Sequence, residues 1–168
     1  MKTQTNTTEA QQDQDTTEAQ QDQDILLVWQ RYNTTEAQQD FLNSLNGFSG
    51  GENFYKDYLN CFMTDGFKFL CDELKSYWLF TDITSVIMTD NKIKDNESFI
   101  LCKIKVNQDK TATIYLYRDY NKNDEVFNKK NLLYTQNYGY TDFLLNDFEF
   151  FICLNDLNTY TFMLKSEY

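Results

Sequence analysis

Beyond residue 89, apolar side chains recur at every second position, the period of a strand with one buried face. Residues 99–106 place Ile100, Cys102, Ile104 and Val106 on one side. Residues 111–118 do the same with Ala112, Ile114 and Leu116, residues 148–154 with Phe148, Phe150, Ile152 and Leu154, and residues 160–164 with Tyr160, Phe162 and Leu164. Turn-forming clusters at residues 107–109, 121–124 and 155–156 separate these runs, and a fifth strand is expected within residues 131–143. Before residue 89 the spacing is helical. Ala37, Phe41, Leu42 and Leu45 follow Thr35 and Gln38, which fit a capping box. Phe54, Tyr55, Tyr58, Leu59 and Phe62 follow Ser49 and Glu52, a second such box, and predict a helix over about residues 50–62. Phe67, Leu70, Cys71 and Leu74 follow Thr64, Asp65 and Gly66, where Thr64 suits an N-cap. Trp78, Leu79, Ile83, Val86 and Ile87 extend the pattern, as one long helix or after a break near Lys75 and Ser76. Helices first and strands afterwards predict an α+β fold. Its N-terminal helices would pack on one face of a four- to five-stranded antiparallel meander sheet.

The alternate positions of these strands change the picture. A solvated sheet face should be polar, yet this one carries Phe99, Leu101, Tyr115, Tyr117, Phe151 and Met163 among Lys103, Lys105 and Glu149. Such a surface needs a cover. The cover is either a segment of the same chain, residues 25–29 or 132–134, or another molecule. A homodimer or an unidentified protein partner would serve.

The chain is also repetitive at its start. Residues 7–15 read Thr-Thr-Glu-Ala-Gln-Gln-Asp-Gln-Asp, residues 16–24 repeat them, and residues 34–40 repeat the first seven in phase. Nine residues at 100° each turn a helix by a net half turn, so successive alanines face opposite sides. An odd period flips the face of a strand as well. The unit builds no continuous apolar stripe, so residues 1–24 are expected to be a solvated low-complexity tail, with six acids and one lysine. Residues 25–44 form a linking apolar segment and helix, and residues 45–168 the α+β domain.

Composition narrows the chemistry. The net charge is −11, from 26 acidic and 15 basic residues, and no run of Lys or Arg exceeds two. That field repels phosphate backbones and argues against nucleic-acid binding. The absence of histidine excludes Ser-His-Asp and Cys-His constellations and histidine-bearing zinc sites. Cys61, Cys71, Cys102 and Cys153 form no Cys-x-x-Cys pair and read as small core hydrophobes, with neither metal nor cofactor implied. Neither a secretory leader nor an apolar run of about 18 residues is present, so a cytoplasmic location without membrane attachment is expected.

Asp65 and Asp142 are the best candidate carboxylate pair for hydrolysis or for a hard cation, each following a threonine. The plainer reading is capping of helix starts and turns. Tyr77 and Trp78 are candidate pocket residues, with core packing as their plainer role. The closing Ser166, Glu167 and Tyr168 read as a recognised tail or, more plainly, as the end of the last strand.

Several of these residues carry a resemblance. Phe48 to Gly50, Tyr55, Thr64-Asp65-Gly66, Lys68, Tyr77-Trp78-Leu79, Thr141-Asp142-Phe143 and Ser166-Glu167-Tyr168 together resemble a bacterial domain-of-unknown-function family, number 6876, over about residues 45–168. The resemblance implies no activity. Asp57 and Thr81 stand where that family is expected to carry His and Asp, so any activity resting on those two side chains would be lost here. The function expected is a non-catalytic interaction module that self-associates through a sheet face. The alternative is a small-molecule binder or hydrolase, with a pocket between helices and sheet using Asp65 and Asp142.

Overall fold

The computed structural model describes residues 20, 23–32, 34–57, 59–119 and 129–168. Apart from residues 20, 23 and 24, the repeat tail lies outside the described residues, as does the turn cluster of residues 121–124. Residues 23–31 are helical (α1), and α2 spans Thr35–Asn46. A hairpin follows, β1 at Phe54–Lys56 and β2 at Phe62–Thr64, then α3 at Asp65–Leu74, α4 at Tyr77–Thr89 and the short α5 at Asn91–Lys94. Strands β3 (Phe99–Val106), β4 (Ala112–Arg118), β5 (Leu132–Tyr138), β6 (Asp147–Leu154) and β7 (Tyr160–Leu164) complete one sheet, and a 3-10 turn at Lys165–Glu167 ends the chain.

The fold is α+β as expected, but the sheet is larger and mixed. Seven strands lie in the order β1-β2-β7-β6-β3-β4-β5. Only β3, β4 and β5 form a meander. Strand β6 returns to pair with the other edge of β3, and β2 joins β7 in parallel. The expected positions Ile100, Cys102, Ile104, Ile114, Leu116, Phe150, Ile152 and Phe162 are all buried. They meet Phe67, Leu70, Cys71 and Leu74 of α3 and Leu79, Phe80, Ile83 and Ile87 of α4. Phe67 sits at the centre, 4.8 Å from the Phe150 ring and 5.4 Å from the Phe162 ring.

The helix expected over residues 50–62 is the hairpin β1–β2. Asn60 takes a left-handed conformation (φ 63°) and closes a turn in which the Asp57 N–H donates to the Cys61 carbonyl at 2.9 Å. The turn sends Met63 into the core and leaves Phe54 and Tyr55 exposed on the edge strand. A break separates α3 from α4, because Lys75 is left-handed (φ 52°). The cap of α2 sits one residue before the expected Thr35: the Thr34 hydroxyl accepts from the Ala37 N–H at 3.1 Å. Residues 25–31 are helical and dock on the helix side of the sheet. Val28 is buried, Arg31 pairs with Glu73 of α3 at 2.7 Å, and the Tyr32 ring lies 4.9 Å from Phe41.

All four cysteines are free. Cys61, Cys71 and Cys102 are buried and Cys153 is half-buried. Burial pushes the thiol of Cys71 up to about 12 and that of Cys153 up to about 11. Among the described residues no helix is long and apolar enough to cross a membrane.

Candidate functional site

The sheet face opposite the helices holds the six expected apolar residues in register. Leu101 pairs with Tyr117 on one side and Phe151 on the other, and Phe151 pairs with Met163. These four make one continuous apolar row across β4, β3, β6 and β7. In the neighbouring row Lys103 lies between Tyr115 and Glu149. The Lys103 ammonium contacts Asp147 at 2.8 Å and Glu149 at 3.0 Å, and Lys165 reaches Glu149 at 2.8 Å. These partners hold the Glu149 carboxyl below its ordinary range despite its burial.

Leu101 and Tyr117 are buried within the single chain. Phe99, Tyr115, Phe151 and Met163 are half-buried. Neither intramolecular cover foreseen from the sequence lies over this row. Residues 25–31 are on the helix side, and residues 132–134 form the start of strand β5. Tyr168, which the sequence did not single out for this face, packs edge-on against Phe99 (5.2 Å) and Phe151 (5.3 Å) while staying 76% exposed.

The four proposed pocket residues divide between separate places. Asp65 accepts from the Asn53 N–H at 3.0 Å and from the Tyr55 hydroxyl at 2.9 Å, tying β1 to the start of α3. Those donors hold its carboxyl below the ordinary range. Tyr77 donates to Asp72 at 2.7 Å, and burial, aided by that carboxylate, pushes its phenol up to about 12. Trp78 and Asp142 do meet. The indole N–H donates to Asp142 Oδ1 at 3.1 Å, and the pair lines an open depression of about 200 Å³ with Tyr138, Tyr140 and Thr141. Burial raises the Asp142 carboxyl above its ordinary value. Trp78 is half-buried against the core, short of the full core position its spacing suggested. No contact joins Asp65 to Asp142, and among the described residues no three His, Cys, Asp or Glu side chains form a cluster able to hold a metal ion.

A third junction was missed by sequence reasoning. The closing residues do not extend β7; they turn back in the 3-10 segment, and Glu167 is buried at 8% exposure. Its Oε1 accepts from the Gly66 N–H at 2.9 Å, and its Oε2 accepts from the Thr64 hydroxyl at 2.6 Å and the Leu164 N–H at 2.9 Å. A carboxylate at a helix N-terminus pairs with unsatisfied N–H groups and the positive end of the dipole. Thr64 therefore caps nothing through its own side chain. The grouping of Thr64-Asp65-Gly66 with Ser166-Glu167-Tyr168 among the resemblance marks was the available signal. The same holds for Tyr77-Trp78-Leu79 with Thr141-Asp142-Phe143, which meet at the indole–carboxylate bond.

The chain belongs to the family of unknown function DUF6876, whose model matches residues 39–168. No curated protein and no solved structure matches it.

Proposed function

We propose that this member of a family without assigned activity is a non-catalytic interaction module that self-associates through the outer face of its sheet. The observation that carries the reading is the apolar row Tyr117–Leu101–Phe151–Met163, set on the side opposite the helices among the described residues. Beside it, Lys103 and Lys165 pair with Glu149 and Asp147 within the face, while Lys105 stays exposed near its end. Burying a charge is costly when it is unpaired and tolerable when its partner goes with it. The row around Glu149 can be covered without stranding a charge.

Size supports the same reading. Five strands, β3 to β7, about 4.8 Å apart and about 20 Å long present a flat footprint of roughly 500 Å². Side-chain relief raises the accessible area toward the roughly 800 Å² per partner of a standard interface. A net charge of −11 opposes association in general. Lys103, Lys105 and Lys165 make this face less repulsive than the acidic remainder. A two-fold dimer sets one patch against itself, which a sheet face with both charges permits.

Because Leu101 and Tyr117 are already buried, the added contact would come from Phe99, Tyr115, Phe151, Met163 and Tyr168. Phe151→Glu places a carboxylate in the apolar row and should give a monomer with an unchanged far-ultraviolet spectrum. Sedimentation of wild type and variant tests this. Identical masses for the two, with both folded, would remove the reading.

A further inference from the structure

We infer that the depression between α4 and the end of β5 is a binding site for an alkylated ammonium group, with Asp142 as its counter-ion and the rings of Trp78, Tyr138 and Tyr140 as its walls. The inference goes beyond self-association and uses the opposite side of the sheet. Tyr138 lies in register with the buried Ala112, on the helix-bearing face.

Three observations carry it. First, the walls are aromatic. Trp78 and Tyr138 meet edge to face with centroids 5.4 Å apart, and Tyr140 stands 68% exposed at the mouth. Aromatic faces are electron-rich, and they attract cations most strongly where water is partly excluded. Second, the polar group among them is negative and under-used. Among the described residues, Asp142 receives one side-chain donor, the Trp78 indole, and makes no ion pair. A carboxylate accepts about four hydrogen bonds. Third, the Tyr138 hydroxyl is turned away from ligand duty, because it donates to Asp82 Oδ2 at 3.0 Å. That leaves the ring face as its contribution and sets a second carboxylate behind the aromatic wall. Lys110, whose carbonyl accepts from the Thr141 N–H, sends its ammonium over the Trp29 ring at 3.5 Å and not to Asp142.

The chemistry selects the ligand class. An anion would face an uncompensated carboxylate. A bare divalent ion requires six or more oxygens at short range, and this site offers one carboxylate. A neutral apolar molecule would leave that carboxylate desolvated and unpaired. A cation that is both diffuse and apolar, such as a methylated ammonium, meets the rings and the charge together.

The test is titration of the whole chain with tetramethylammonium chloride, followed at the tryptophan indole N–H resonances. The protein has two tryptophans, and Trp29→Phe leaves the Trp78 signal for assignment. We expect a saturable shift of that signal, with a dissociation constant on the order of 1 mM for so small an ion. Sodium chloride at equal ionic strength and the uncharged isostere tert-butanol should not reproduce it. Asp142→Asn keeps the indole acceptor and should weaken binding at least about tenfold. Tyr140→Ala, at an exposed position that the fold does not need, should weaken it about threefold. A free quaternary amine binding as well as a trimethyllysine peptide would assign a small-molecule ligand. Tighter binding of the peptide would assign a protein side chain, and either result upholds the site. Absence of a saturable shift, an equal response to tert-butanol, or undiminished binding in folded Asp142→Asn would overturn it.

Discussion

Replacing Glu167 with alanine should destabilise the domain more than its place, one residue from the C-terminus, would suggest. Glu167 is 8% exposed, and its carboxylate accepts three hydrogen bonds, from Thr64, Gly66 and Leu164, at 2.6–2.9 Å. Hydrogen bonds to a charged group contribute about 1.5–3 kcal/mol each, which sums to a gross loss of roughly 4–9 kcal/mol. Removing the carboxylate also removes the cost of burying it, so the net effect falls to about 3–5 kcal/mol. Glu167→Gln separates charge from shape. One oxygen survives, but the amide group opposes either the Gly66 N–H or the Thr64 and Leu164 donors, and the loss should be about 2–3 kcal/mol. Urea unfolding at neutral pH measures both, with the midpoint for Glu167→Ala falling by roughly 1–3 M. A loss under about 1 kcal/mol for the alanine variant would refute the claim that the closing residues anchor α3 to the sheet.

Three further outcomes follow from the same geometry. Gly66→Ala should cost about 1–3 kcal/mol, because a Cβ there would lie 2.6 Å from Leu164 Cδ1 and 2.9 Å from Glu167 Cδ; the cost should shrink in the Glu167→Ala background, which a double-mutant cycle reads directly. Burial raises the folded-state pKa of Asp142, so its ionisation opposes folding above that pKa and costs nothing below the ordinary carboxylate range. Asp142→Asn should therefore raise the melting temperature at pH 7, and the gain should vanish as the pH falls through the folded pKa to the unfolded one; a gain independent of pH would contradict this. Cys71 and Cys102 should resist thiol reagents in the native protein and react after unfolding, since burial keeps both thiols protonated.

The strands were legible because one buried face imposes a period of two, and the apolar positions of β3, β4, β6 and β7 follow it, although Leu101 and Tyr117 on the other face are buried as well. The order of the strands was not. Nothing in the side-chain pattern of Phe62 to Thr64 announces a parallel partner about a hundred residues away in β7, where the pairing is non-local. The hairpin β1–β2 was misread because Phe54, Tyr55, Tyr58, Leu59 and Phe62 satisfy a helical stripe. The decisive feature was backbone, the left-handed Asn60, and asparagine is among the few residues that adopt it readily. Of the candidate site residues, the outer face was readable as a set because strand register keeps alternate residues together. Of the four residues expected to share a pocket, Trp78 and Asp142 meet. Asp65 and Tyr77 went elsewhere because local donors and acceptors, Asn53, Tyr55 and Asp72, claimed them first. Tyr138 and Tyr140 carried no mark that distinguished them from the chain's ten other tyrosines.

Self-association through the outer sheet face is tested most directly by the mass of the wild-type chain in solution. Sedimentation equilibrium across a dilution series up to about 100 μM spans the range in which an interface of this size would assemble. The account predicts a mass approaching twice the 20.1 kDa of one chain at the upper end, declining toward 20.1 kDa on dilution. A mass of 20.1 kDa at every concentration would contradict it.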